Sequence, residues 1–228
     1  MKLDRISERI WVYPYEEERD RPNLVYIRGD RWSLAVDAGH SADHVREFYH
    51  ALEEAGLPLP ELTVLTHWHW DHTFGMHAVH GLTLANEKTN LYLADFKDRL
   101  GKEGPGFFLE MDECIRREYA DNKPVIVVPA DLVFRGEITL DAGSCPLRIF
   151  QAEAPHTDDS TLVWLPDERF LILGDCICYS FPDRKMDQAL ADKLAATVQA
   201  LNPATCLPGH WTPLPQDEIV RDLLSGIG

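Results

Sequence analysis

Thr66-His67-Trp68-His69-Trp70-Asp71-His72 follows directly on the apolar run Leu62-Thr63-Val64-Leu65. A short apolar run with a β-branched centre reads as a buried strand, so four potential metal ligands begin where a strand ends. In extended chain, side chains two apart point to the same side, which lets His67 and His69 share one cation. Asp71 and His72 come where the chain must turn and can face the opposite side of the same cavity. That spacing is a two-metal geometry, unlike the i, i+4 histidine pair of a helical zinc site. One isolated histidine would be read as solvated, whereas H-x-H-x-D-H behind a strand points to metal. Trp68 and Trp70 alternate with the histidines and so face away from them, as core filler or as the wall of an apolar pocket.

Upstream, residues 9–13 and 24–27 read as strands joined by a charged segment. Gly29-Asp30 signals a hairpin into a strand over 32–36. Ser41 is the expected N-cap of a helix in which Val45, Phe48, Tyr49 and Leu52 recur at helical spacing until Gly56 and Pro58. Downstream, 75–79 reads as a short helix and 82–84 as a strand. Residues 87 to about 122 are charged and helix-prone, broken by Gly101 and Gly104-Pro105-Gly106, and are expected to pack over the core or the site mouth. Strand patterns return at 125–128, 132–134, 147–150, 161–165 and 170–173. A helix over 186–201, a strand over 204–207 and a helix over 219–224 close the chain. This order predicts one domain, residues 1–228, of two sheets covered by helices, with 87–122 as a mainly helical insertion.

Composition narrows the function. A chain of 228 residues, 45% hydrophobic and 26% charged, can bury one sizeable core. Its net charge of −16 builds no basic stripe, which argues against a nucleic-acid partner. No apolar window approaches the ~18 residues of a membrane span, and the start Met1-Lys2-Leu3-Asp4-Arg5-Ile6-Ser7-Glu8 lacks an apolar signal core. A soluble, cytoplasmic protein acting on a small molecule is therefore expected, with its oligomeric state open. Five cysteines, an odd number without a C-x-x-C pair, fit reduced thiols.

Three further positions repeat the grammar of the opening stretch, a polar ligand where an apolar strand ends. His156 follows Phe150 through Ala154-Pro155, Asp175 follows Phe170-Leu171-Ile172-Leu173-Gly174, and His210 follows Leu207-Pro208-Gly209. An ionised aspartate at the end of a fully apolar strand costs several kcal/mol unless a cation or donors meet it. Taken with Asp37 after a strand, the set resembles the metallo-β-lactamase-fold hydrolases over nearly the whole chain. That resemblance implies a four-layer αββα sandwich of the α/β (α+β) class. It also implies a first metal held by His67, His69 and His156, and a second by Asp71, His72 and His210, with Asp175 bridging. Asp37 would orient the ligand loop from behind. Pro155 departs from the family, which often has Gly before this histidine. Aspartate at 175 favours the glyoxalase-II-like or lactonase-like branches, although Arg221 is the only basic residue after Leu201 and a glutathione carboxylate would find few partners.

Imidazole and carboxylate ligands suit zinc, two per chain, and also admit iron or manganese. The resemblance implies a dinuclear-zinc hydrolase that cleaves an ester, thioester, lactone or amide through a metal-bound hydroxide. Asp71 is then both ligand and proton carrier. Tyr179 is a second catalytic candidate, because lactonase-like relatives use a tyrosine just after the bridging aspartate; a packed tyrosine is the competing reading. A serine triad is disfavoured, since no G-x-S-x-G occurs. Two alternatives remain open: a mononuclear iron persulfide dioxygenase-like enzyme on the same ligands, and a non-catalytic metal-bound binding module.

Overall fold

The computed structural model describes residues 2–226. Strands β1 (Asp4–Arg5), β2 (Ile10–Tyr13), β3 (Leu24–Arg28) and β4 (Ser33–Val36) form an antiparallel meander. Helix α1 (Ala42–Glu54) then crosses over so that β5 (Leu62–Val64) lies parallel to β4. After the short α2 (Trp70–Thr73) come β6 (Leu82–Asn86) and helices α3 (Glu87–Glu103), α4 (Gly106–Leu109) and α5 (Glu113–Glu118). Strand β7 (Leu132–Phe134) completes a 7-stranded sheet in chain order. The second sheet holds five strands, ordered β12-β11-β10-β9-β8. They are β8 (Glu137–Asp141), β9 (Pro146–Gln151), β10 (Thr161–Leu165), β11 (Phe170–Gly174) and, after α6 (Gln188–Leu201), β12 (Thr205–Pro208), with α7 (Gln216–Ser225) last.

Alternation puts one face of each sheet into a shared interior. Val25, Val36 and Val64 from the first sheet pack with Ile149, Val163 and Ile172 from the second. On the outer faces, Phe48 and Leu52 of α1 cover Tyr26 and Ala35, while Leu194 and Val198 of α6 cover Leu162 and Leu171. The layers are therefore helix, sheet, sheet, helix, as expected. Ser41 caps α1 by accepting from the backbone N–H groups of Asp43 and His44.

The helical segment packs Leu93, Phe108 and Ile115 against Trp70 and Phe74, directly under the ligand turn. It is also bolted to the N-terminal loop. Arg21, fully buried, donates to Glu118 through Nε and Nη2, both at 2.9 Å, and lies 3.0 Å from Glu47. Ser41 donates to the same Glu118, and the Tyr119 hydroxyl donates to the carbonyl of His40 at 2.7 Å.

Two expectations need correction. Residues 125–128 form no strand: the run is flanked by Pro124 and Pro129, and β6 already pairs with β7. Val127 instead buries into the helical cluster. β-branched composition favours a strand only where context lets the backbone pair, and here a proline, which has no N–H to give, stands at each end of the run. Conversely, β8 is an unforeseen strand whose Ile138 and Leu140 pack inward between exposed polar neighbours.

Candidate metal centre

Every candidate ligand sits beyond the end of a strand, at the edge where the two sheets meet. The turn after β5 brings His67, His69, Asp71 and His72. The β9–β10 loop brings His156, and the ends of β11 and β12 bring Asp175 and His210. The backbone N–H of Thr161 donates to the carbonyl of Thr66 at 2.7 Å, tying the sheets together at this point. Asn23 donates to the carbonyls of Pro208 and Trp211 at 2.9 and 2.8 Å, which sets the loop that carries His210.

Two clusters result. His67 Nε2 and His156 Nε2 lie 3.1 and 2.9 Å from His69 Nδ1, so three ring nitrogens converge. In the second cluster Asp71 Oδ2 lies 3.1 Å from His72 Nε2 and 3.0 Å from His210 Nε2. Asp175 stands between the clusters, with Oδ1 3.4 Å from His72 Nε2 and Oδ2 3.6 and 3.9 Å from the Nε2 atoms of His210 and His156. His72 Nε2 and Asp175 Oδ1 are buried and make no hydrogen bond. Such orphaned nitrogen and oxygen donors, facing one another in a dry site, are what a divalent cation satisfies. The residues present fit the group.

The far ring nitrogens are held by the protein. His72 Nδ1 donates to Asp37 Oδ2 at 2.7 Å, and His156 Nδ1 donates to the Tyr179 carbonyl at 2.7 Å. Thr66 gives its hydroxyl hydrogen to Asp37 and accepts from His67 Nδ1 at 3.1 Å. Asp37 adopts a left-handed backbone, φ 65°, which aspartate tolerates better than bulkier residues. Gly209 packs so closely that a Cβ there would come within 2.1 Å of Asp175 Oδ1. Only a residue without a side chain lets that carboxylate reach its place.

Electrostatics divides the clusters. Burial holds His67 well below the ordinary imidazole range, with His72 and His69 adding to the effect; His69 falls to about 3 by burial and by His156. Burial also opposes charge on His72 and His210. There the surrounding aspartates win: Asp71, Asp175 and Asp37 hold His72 well above its usual range, and Asp175 with Asp71 lifts His210 to about 9. Burial would raise Asp71 and Asp175, yet His72 and His210 hold both well below the carboxylate range. His67 and His69 thus offer free lone pairs, and His72 and His210 store protons.

A cavity of about 440 Å³ opens on the clusters. Its walls include Trp70, Phe181, Trp211 and Cys178, and also Tyr15, Glu17 and Asp20, which the sequence reading did not place there. Asp20 Oδ1 lies 3.7 Å from His210 Nδ1. Burial, with Asp71 nearby, raises the Asp20 carboxyl to about 6. Its only sequence signal was an acid within a charged loop. Trp70 lines the cavity because the chain leaves extended geometry after Val64, so strand alternation does not carry through to it. Tyr179 brings its main chain to the site, while its ring, 39% exposed, is not among the residues walling the cavity. Tyr13 and His40 are fully buried elsewhere.

The sequence profile of the metallo-beta-lactamase superfamily matches residues 19–210. The chain belongs to that superfamily. Solved metallo-beta-lactamase structures share its fold. The enzyme from Pontibacter korlensis is 18% identical, with a TM-score of 0.69 over 99% of this chain and 98% of that one. DIM-1 is 19% identical, with a TM-score of 0.71 over 99% and 96%. The Erythrobacter litoralis protein is 18% identical, at 0.69 over 99% and 95%. Membership makes this chain an enzyme of a metal-dependent hydrolase superfamily.

Proposed function

We propose that the chain is a dinuclear-zinc hydrolase that cleaves an ester, thioester, lactone or amide in the 440 Å³ cavity. The observation that carries this reading is Asp175, whose two oxygens reach toward both clusters. His67, His69 and His156 would hold one ion and Asp71, His72 and His210 the other. Zinc bound there supplies Lewis acidity and a water-derived nucleophile near neutral pH. The protein's own part is placement. Asp37 fixes the ring of His72 and the Tyr179 carbonyl fixes that of His156, so each presents Nε2 inward. Trp70, Phe181 and Trp211 limit water around the scissile bond. Asp71, which lies 3.0 Å from His210 Nε2 at the mouth of the second cluster, is the carboxylate best placed to take up the proton of the attacking water.

Aspartate at 175 supports the glyoxalase-II-like or lactonase-like branches. Five free cysteines are consistent with a cytoplasmic setting. No described helix is long and apolar enough to cross a membrane. Elemental analysis of purified protein should find zinc near two per chain. Hydrolysis of lactones and thioesters should vanish on chelation and return with zinc. One iron per chain, with oxygen uptake on a glutathione persulfide and no hydrolysis, would reject the proposal.

A further inference from the structure

A second cavity, about 840 Å³, shares His69, His156 and Phe181 with the first. It runs outward between α3 and the loop joining β9 to β10, and reaches Leu190 near the start of α6. One wall is a continuous file of rings. Phe181 lies 5.7 Å from His69, His69 lies 4.7 Å from Trp68, and Trp68 lies 5.8 Å from Tyr92, between centroids. Facing them are Ala152, Ala154 and Pro155, small residues that leave the space open. A groove that starts at the first histidine cluster and proceeds over rings and small apolar side chains is shaped for an elongated apolar group.

Its polar rim is internally satisfied. Lys88, the one basic residue among the described residues lining it, lies 2.8 Å from Asp158 Oδ2, and the Tyr92 hydroxyl donates to Asp158 Oδ1 at 2.7 Å. A carboxylate on the ligand would have to break that pairing, and it would also crowd the Glu153–Lys193 ion pair, 2.6 Å apart, on the same wall. An uncharged chain pays neither cost.

We propose that this groove is the subsite for the acyl part of the substrate, an uncharged apolar chain lying along the Phe181–His69–Trp68–Tyr92 file with its carbonyl at the metal centre. The assignment rests on the hydrolase reading and adds which side of the scissile bond enters the groove, and what chemistry it has. It differs from a nonspecific apolar surface because both cavities share the first cluster, so one molecule occupies both.

The test uses zinc-loaded protein and 4-nitrophenyl esters of acetic, butanoic, hexanoic and octanoic acids, with the half-ester of octanedioic acid. Leaving group and reacting carbonyl are constant across the series. kcat/KM should rise roughly two- to fourfold per methylene until the groove is full, and the carboxylate-ended ester should fall back toward the acetate value. In Leu190→Trp, which fills the groove from α6, the dependence on chain length should flatten. A separate measurement needs no turnover: octanamide, unlike acetamide, should change tryptophan fluorescence, and Trp68→Phe should abolish most of that change. A flat profile in the active wild type overturns the proposal, as does an octanoate preference that survives Leu190→Trp. If no ester is hydrolysed, the amide decides the groove alone: a Trp68-dependent response supports it, and none overturns it; the hydrolase reading itself fails only if lactones and thioesters are left intact as well.

Discussion

Replacing Asp37 by Asn separates the orientation of a ligand from its identity. Asparagine matches aspartate in size and tolerates the left-handed backbone found at Asp37, φ 65°, so the loop keeps its path. Its one carbonyl oxygen can still accept from the backbone N–H of Thr66, now 2.8 Å from Asp37 Oδ1. The amide group then faces His72 Nδ1, where the carboxylate accepted at 2.7 Å, and two donors meet. A buried donor left unsatisfied costs about 1–3 kcal/mol, a factor of roughly 5 to 160 at ~1.4 kcal/mol per tenfold. Losses of about 10–100-fold in metal affinity are usual when such outer partners are removed. Because Asp37 grips His72 directly, the cost should fall on the second cluster. Competition titration of zinc against a chromogenic chelator should show the weaker step shifted by that factor and the other within threefold of wild type. Equal weakening of both steps, or no shift in either, would refute this chain of reasoning.

Proton storage in the second cluster sets a pH dependence. His72, held well above its usual range, and His210, near 9, must each release a proton before a cation enters, whereas His67 and His69 are already neutral. Affinity at one site should therefore fall up to tenfold per proton displaced for each pH unit below about 9, and more steeply than at the other; parallel slopes would contradict the assignment. In the metal-free protein the raised pKa of His210 contributes stability that is full below the unfolded value of ~6.5 and lost as pH rises through about 9, which urea titrations across that window will register. Arg21→Met strands Glu118 in a buried site and should cost about 3–5 kcal/mol in urea unfolding, and the double change Arg21→Met with Glu118→Leu much less.

The parts of this structure legible in the sequence are those set by short-range rules. The strand-then-ligand pattern at 62–72, the Ser41 cap and the outer stripes of α1 and α6 all express local periodicity, and the folded chain keeps them. What was not legible depends on partners far along the chain. Residues 125–128 have strand composition but lie between Pro124 and Pro129 and give Val127 to the helical cluster, and the edge strand β8 is marked only by Ile138 and Leu140 alternating with polar residues. Glu17 and Asp20 read only as part of a charged segment joining two strands. They reach the cavity because Arg21 is drawn into the interior by Glu118, 97 residues away. The convergence of seven side chains was inferred from their order and from resemblance; only folding brings His69 to His156.

Each cluster takes side chains from both sheets. His69 and His156 are 87 positions apart, and Asp71 and His210 are 139 apart. An ion seated in either place therefore closes a long loop of chain as a disulfide does, in a protein whose five thiols are all free. Cation supply then adds to the durability of the fold as well as to its chemistry, and a cell starved of the ion would hold a less stable protein as well as an idle one.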